Sequence, residues 1–384
     1  MSNKDASAID TPIMFDGTAK HGLFPSLKDQ FPTALMTPAS EPFQFAQEEG
    51  MELPESYQFD GQTRSTEAFF VDTDTSALLV IKDGAVRFER YALTGGRNVQ
   101  WTSFSVAKSF VSALIGIAVQ EGHIADIEDP ISRYVAVPAG SAYDGVRIKD
   151  VLQMSSGATW SEDYSDPNAE IHRMAEAMGE KGSLDDFVCS MTPDVEPGSL
   201  CRYNSGDTQV LGMLLVKATG RSITDYRQEK LYTPLGMESA GYWLQDSVGL
   251  EMAFAGMILT ARDFAKIGEL FRNKGLWNNN QIVPQSCVTA SATPDAPHLL
   301  PGKVVVGGHI LPLGYGYQWW VPEGDCGEFC AIGVYNQFVF VDPSRGTVIV
   351  KLSANRTYGT TNEESENQEM ETVEFLRAIA RELD

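Results

Sequence analysis

The chain has 384 residues, 43% hydrophobic, 10% aromatic and 21% charged, an ordinary globular composition long enough for two domains or one with a large insertion. Its net charge of −23 argues against a nucleic-acid partner and disfavours an anionic membrane surface, because phosphate neutralisation needs clustered Lys and Arg. No apolar run reaches the roughly 18 to 20 residues that span a bilayer.

In chain order, MSNKDASAIDTP lacks the basic start and apolar centre of a secretory signal, so the default location is cytoplasmic. A mature secreted form would read the same way. Residues 1–60, rich in Pro, Thr, Ser and acidic residues, read as an irregular extension wrapped on the surface. ALLVIKDGAVRFERY (77–91) is a hairpin turning at Lys82-Asp83-Gly84. DTQVLGMLLVKATG (207–220) reads as a helix ended by Gly220, followed by a helical SITDYRQEKLYTPLGM with Ser222 as its N-cap. TARDFAKIGELFRNKG (260–275) is a helix capped by Thr260 and stopped by Gly275. NQFVFVDPSRGTVIVKLSA (336–354) is a second hairpin, and NQEMETVEFLRAIAREL (367–383) an amphipathic helix. Hairpins at both ends with helices between predict an α+β fold. Both chain ends form an antiparallel sheet flanked by helices, residues 61–110 and 255–384, and residues 111–254 are a mainly helical insertion.

The chemistry centres on TSFSVAKSFVSALIGIAV (102–119). A helix starting near Ser105 puts Lys108 on the same face, three residues on, with the serine at the positive end of the helix dipole. Backed by an apolar helix, Lys108 is poorly solvated, which lowers an amine's pKa towards that of a useful base. Serine needs such a base within hydrogen-bond reach to become a nucleophile. Taken alone the S-x-x-K spacing is weak, since a lysine at a helix end can simply snorkel. No histidine sits in a Ser-His-Asp pattern, and no G-x-S-x-G elbow occurs, which counts against an α/β-hydrolase. Cys189, Cys201, Cys287, Cys326 and Cys330 show no metal spacing and read as reduced thiols; neither metal nor cofactor is implied.

The surrounding segments give the motif its weight. S-x-x-K opening an apolar helix after a hairpin resembles the serine β-lactamase and DD-peptidase superfamily. VLQMSSGATW (151–160) is similar to its L-L-x-H-T-S-G segment, with Met154 where His is common, and Tyr203-Asn204-Ser205 to its Tyr-x-Asn/Ser motif. LYTPLGM (231–237), GMILTARDFAKIG (256–268) and AIGVYNQFVFVDP (331–343) match further family segments in order. Within it the chain resembles the class C-like branch of family VIII-type esterases and 6-aminohexanoate-dimer (nylon oligomer) hydrolases, and EDYSDP (162–167) and VIVKLS (348–353) look like the latter group.

That resemblance implies a β-lactamase/transpeptidase-like fold and a catalytic set. Ser105 is the implied nucleophile; Lys108 and Tyr203 share the base and acid work, in either order; Ser205 holds Lys108 by a hydrogen bond. The implied oxyanion hole is the N–H of Ser105 and of Val334, with Gly333 letting the strand approach the substrate closely. Penicillin-recognising members carry Lys-Thr/Ser-Gly where this chain has Ala331-Ile332-Gly333. Losing that cation costs a substrate carboxylate about 1.5 to 3 kcal/mol. A small ester or linear amide is therefore the implied substrate, ahead of β-lactams or D-amino-acid peptides; a silent ligand-binding homologue is the reading from another class. Trp160 and Tyr164 either wall the pocket or pack. Glu162, Asp163 and Asp166 either recognise an ammonium end of the substrate or form a solvated loop. Segments 160–190 and 295–315 supply pocket walls, and the oligomeric state is not legible.

Overall fold

The computed structural model describes residues 14–179 and 182–383. Residues 1–13 of the expected extension, residues 180 and 181 of the expected wall segment and residue 384 of the expected sheet unit lie outside the described residues.

An eight-stranded sheet forms the centre. Its strands are β1 (Ala46–Gln47), β2 (Thr75–Lys82), β3 (Ala85–Tyr91), β4 (Leu313–Tyr315) and β5 (Trp320–Pro322). They continue with β6 (Phe329–Gly333), β7 (Gln337–Asp342) and β8 (Thr347–Ser353). The spatial order is β4-β5-β6-β7-β8-β2-β3-β1, so β8 pairs with β2 and joins the two chain ends, as the hairpins predicted. All neighbours are antiparallel except the edge strand β1 beside β3. Asp83 (φ 50°) and Gly84 (φ +81°) make the two-residue loop of the first hairpin, whose left-handed backbone matches the twist of the flanking strands.

Alternation along the strands supplies both faces of the sheet. Leu79, Ile81, Val339, Val341, Val348 and Val350 face a core shared with helices α1 (Val106–Gln120), α2 (Ser205–Thr219) and α3 (Ala261–Arg272). Leu78, Val80, Phe338, Phe340 and Ile349 face a second core built on the carboxy-terminal helix α4 (Glu369–Arg381). Gly268 brings α3 onto the sheet, since a Cβ there would stand 2.6 Å from Val348.

Helix ends follow the expected residues with one difference. Gly220 (φ +68°) ends α2, and the Ser222 and Thr260 side chains cap the helices that follow them. The segment after Ser222 is only one short helix, Ile223–Arg227, running into a π turn over Gln228–Tyr232, because Pro234 cannot extend it. Helix α3 has Asn273 as its C-cap, and Gly275 (φ +83°) closes its end as expected, its N–H bonding the Leu270 carbonyl at 2.8 Å. Residues 14–60 contain order that the sequence did not signal: Thr33–Met36 pairs with Gly241–Leu244. That pair belongs to a four-stranded sheet with Met257–Leu259 and Trp101–Thr102. The short Trp101–Thr102 strand leads directly into Ser105, and the Ser103 N–H is fixed to the Met257 carbonyl at 2.7 Å.

Candidate active site

Ser105 stands at the N-cap of α1, whose first thirteen residues are all buried. The preceding Phe104 has φ 45°, a left-handed conformation costly for a side chain with a Cβ. It is held there by edge contact with Phe24 (4.9 Å between centroids) and packing on Tyr335 (5.4 Å). The helical spacing then does what the sequence implied. Lys108 Nζ donates to Ser105 Oγ at 2.7 Å, to Ser205 Oγ at 3.1 Å and to the Phe254 carbonyl at 3.0 Å.

Lys108 is 1% exposed, and burial lowers its pKa from 10.5 to about 7; the nearby Glu162 charge works in the opposite sense. That drop disfavours the ammonium by about 5 kcal/mol and leaves a large fraction of neutral amine at neutral pH. The bonding pattern fixes where the lone pair goes. The Ser205 hydroxyl spends its proton on Glu162 Oε1 at 2.6 Å, and the Phe254 carbonyl can only accept. A neutral Lys108 must keep N–H bonds to both, which turns its lone pair to Ser105.

Tyr203 is buried, stacked near Trp320 (5.0 Å) and lying under Lys108, whose Nζ is 4.9 Å from the ring centroid. Burial raises its phenol well above 10, the Glu162 charge adds to this, and a hydrogen bond with Ser105 offsets part. The environments of Lys108 and Tyr203 thus act in opposite directions, lowering the pKa of the amine and raising that of the phenol. Asn204 makes this placement local. Its side-chain oxygen caps α2 through the N–H of Gly206 (2.7 Å) and of Asp207 (3.2 Å), which sets Tyr203 and Ser205 on either side of the cap.

Glu162 departs from both readings of it. It is neither solvated nor free for an ammonium group, being buried and accepting from the Trp160 indole, Tyr164 Oη (2.9 Å) and the Ser205 N–H (3.2 Å) and hydroxyl. Trp160 therefore supports Glu162 and lines neither cavity beside the serine. Asp163 and Asp166 bond their own turn, through Ser165 and Asn168.

The β6–β7 connection completes the site. A Cβ on Gly333 would lie 2.6 Å from the Ser103 carbonyl and 3.1 Å from Ser105 N. The glycine thus lets β6 approach the backbone around the serine, where a close approach to substrate was expected. Neither the Ser105 nor the Val334 N–H has an acceptor among the described residues. Tyr335 (φ 64°) and Asn336 (φ 63°) follow in left-handed conformations. Gln337, unmarked in the sequence, holds this strained loop: its Nε2 donates to the Val334, Tyr335 and Ser353 carbonyls at 3.0, 3.1 and 2.7 Å, and its Oε1 accepts from Trp101 Nε1.

Two cavities flank Ser105. The larger, about 370 Å³, is mainly apolar, lined by Leu27, Phe31, Ile171, Met178, Leu244 and Phe254 among others, with Phe15 at one wall. Phe15 stacks on Tyr164 (4.6 Å) and Tyr335 (5.2 Å). The smaller, about 20 Å³, is bounded by Tyr203, Trp320, Ile332, Gly333, Tyr358 and Glu369; Tyr164 and Val334 border both. Ala331 is buried on β6 and reaches neither. Segment 160–190 supplies walls as expected, and Val306 and Leu311 do so for segment 295–315. Among the described residues no metal-holding group of His, Cys, Asp and Glu occurs, and no helix is long and apolar enough to cross a membrane.

Comparisons with known proteins bear on the family and the fold. The family model described as beta-lactamase matches residues 64–373. The 6-aminohexanoate-dimer hydrolase of Paenarthrobacter ureafaciens is 28% identical over 291 residues, 74% of this chain and 73% of that one. Among solved structures, a Bacillus anthracis protein provisionally described as a 6-aminohexanoate-dimer hydrolase superposes with a TM-score of 0.83 at 23% identity, covering 100% of this chain and 98% of that one. A family VIII carboxylesterase superposes with a TM-score of 0.59 at 14% identity, covering 82% and 95%. The chain therefore belongs to the beta-lactamase family and is a hydrolase of that fold.

Proposed function

We propose that this protein cleaves a small ester or linear amide through an acyl-enzyme on Ser105. One observation carries the reading: Lys108 is buried, close to neutral, and bonded so that only Ser105 can meet its lone pair. In the proposed cycle Lys108 takes the Ser105 proton as Oγ attacks the substrate carbonyl. The developing oxyanion is received by the Ser105 and Val334 N–H groups. Tyr203 gives its phenolic proton to the leaving nitrogen or oxygen, and the resulting phenolate recovers a proton from the Lys108 ammonium beside it. Water then attacks the acyl-enzyme, with the same two groups running in reverse.

Substrate choice follows from the cavities. Among the described residues no Lys or Arg lines either of them, so a β-lactam or peptide carboxylate finds no cationic partner in these linings. The apolar larger cavity suits an uncharged acyl chain of medium length. Names among the relatives, 6-aminohexanoate-dimer hydrolase and carboxylesterase, fit an amide or ester substrate.

A fluorophosphonate probe tests the mechanism independently of substrate. Labelling of the peptide that carries Ser105, lost in Ser105→Ala and strongly slowed in Lys108→Ala, is the expected result. An unlabelled wild type would identify a silent binding cleft and overturn the proposal.

A further inference from the structure

Release of an acyl group from Ser105 needs a water held against it, and the position of Tyr203 shows where that water stands. If Ser105 and Tyr203 act as proposed above, deacylation retraces acylation, so the attacking water takes the place of the departed leaving heteroatom. That place adjoins Tyr203, which borders the smaller cavity and not the larger. A volume of about 20 Å³ takes one water molecule; of a leaving group it takes the heteroatom alone, with the remainder outside.

A water held so closely needs about two to four polar partners. The lining supplies the Ser105 and Tyr203 hydroxyls and the carboxylate of Glu369, the first residue of α4. The Tyr164 and Tyr358 hydroxyls donate elsewhere, to Glu162 and to Glu369. Beyond Tyr358, the Glu369 carboxylate has no hydrogen-bond partner among the described residues. It lies near enough to Tyr203 for its charge to push the phenol's pKa up further. Tyr358 is buried near Tyr335 (centroids 5.7 Å) and Tyr164 (6.3 Å), which fixes the carboxylate it bonds.

We propose that the smaller cavity seats the water that releases the acyl group, and that Glu369, oriented by Tyr358, is the residue that positions it. In this step the water oxygen bonds to the acyl carbon, and the bond from that carbon to Ser105 Oγ breaks. One water proton passes to Tyr203 as the phenolic proton moves to Lys108, and Lys108 returns a proton to Ser105 Oγ. Glu369 accepts a hydrogen bond from the second water proton, which turns the lone pair to the carbonyl. The inference rests on the serine-hydrolase reading and adds to it a residue that an ester needs for deacylation and not for acylation. A departing ester oxygen carries no second proton for Glu369 to bind.

Competition between water and hydroxylamine for the hexanoyl group of p-nitrophenyl hexanoate tests this, at about pH 8 because burial raises the Glu369 pKa. Neutral hydroxylamine attacks without first losing a proton, so it depends less on an acceptor. The hydroxamate and the hexanoate formed are measured together and corrected for the uncatalysed reaction. Glu369→Gln keeps a neutral acceptor and should raise the hydroxamate-to-hexanoate ratio about tenfold, the weight of one hydrogen bond to a charged group. Glu369→Leu keeps none and should raise it further, and Tyr358→Phe should move it in the same direction. Such a ratio does not depend on how much of a variant is folded. Release of p-nitrophenol at saturating hydroxylamine, per fluorophosphonate-labelled site, reads acylation and should change less than about threefold. A ratio unchanged in Glu369→Gln, or a release at saturating hydroxylamine cut as deeply as hydrolysis, would overturn the proposal and leave the hydrolase reading intact. No p-nitrophenol release by the wild type, or equal release by Ser105→Ala, would remove the hydrolase reading and this inference with it.

Discussion

Replacing Glu162 with Gln isolates what a buried carboxylate does for a base it never touches. The Ser205 hydroxyl bridges the two, 2.6 Å from Glu162 Oε1 and 3.1 Å from Lys108 Nζ, so the charges lie no more than 5.7 Å apart. At an effective dielectric of about 20, that separation is worth about 3 kcal/mol, or roughly two pH units in the amine's titration. The carboxylate favours the ammonium, so removing its charge lowers the Lys108 pKa further from its present value of about 7. In the proposed cycle only the neutral amine is active, so the rising limb of kcat/KM against pH moves to lower pH. The assay is p-nitrophenyl hexanoate hydrolysis from about pH 5 to 9 for both proteins, with thermal unfolding to verify the fold. A wild-type limb near pH 7 that moves down by one to two units in Glu162→Gln is the expected outcome. A limb that stays in place, or moves up, would refute Lys108 as the titrating base under the control of Glu162.

Other consequences follow from the neighbouring contacts. Gln337→Ala strips the Val334 and Tyr335 carbonyls and Trp101 Nε1 of their partner, so kcat should fall about tenfold to a thousandfold with KM little changed; an unchanged kcat in steady-state assays would contradict that role. Gly333→Ala forces a methyl to 2.6 Å from the Ser103 carbonyl. Esterase activity should collapse while circular dichroism remains native. Phe15→Ala removes a wall of the larger cavity, shifting chain-length preference among p-nitrophenyl esters from hexanoate towards decanoate; an identical profile would show that Phe15 does not limit the acyl chain. Nitrocefin turnover should be orders of magnitude below ester turnover, since among the described residues no Lys or Arg lines the cavities.

The arrangement of the candidate site was legible because its determinants are local. Ser105 and Lys108 are one helical turn apart, and Tyr203 and Ser205 are tied to the cap at Asn204, so short motifs carry the geometry. The sheet was legible for the same reason, from two hairpins with turn residues of distinct chemistry. What stayed hidden depends on contacts between distant segments. EDYSDP looks like a solvated loop until folding places Glu162 under Ser205, more than forty positions away. Gln337 reads as an ordinary strand polar residue, and only the left-handed Tyr335 and Asn336 reveal why its amide is needed. Phe15, in an amino-terminal stretch with no periodic signal, reaches Tyr335, 320 positions on, by stacking and by an N–H bond of 2.9 Å to its hydroxyl.

The central claim is that Ser105 is the nucleophile. Hydrolysis of p-nitrophenyl butyrate by the wild type and by Ser105→Ala, side by side, tests it most directly. Turnover by the wild type that falls at least about a thousandfold in the variant is the predicted result. Equal turnover by both would contradict it.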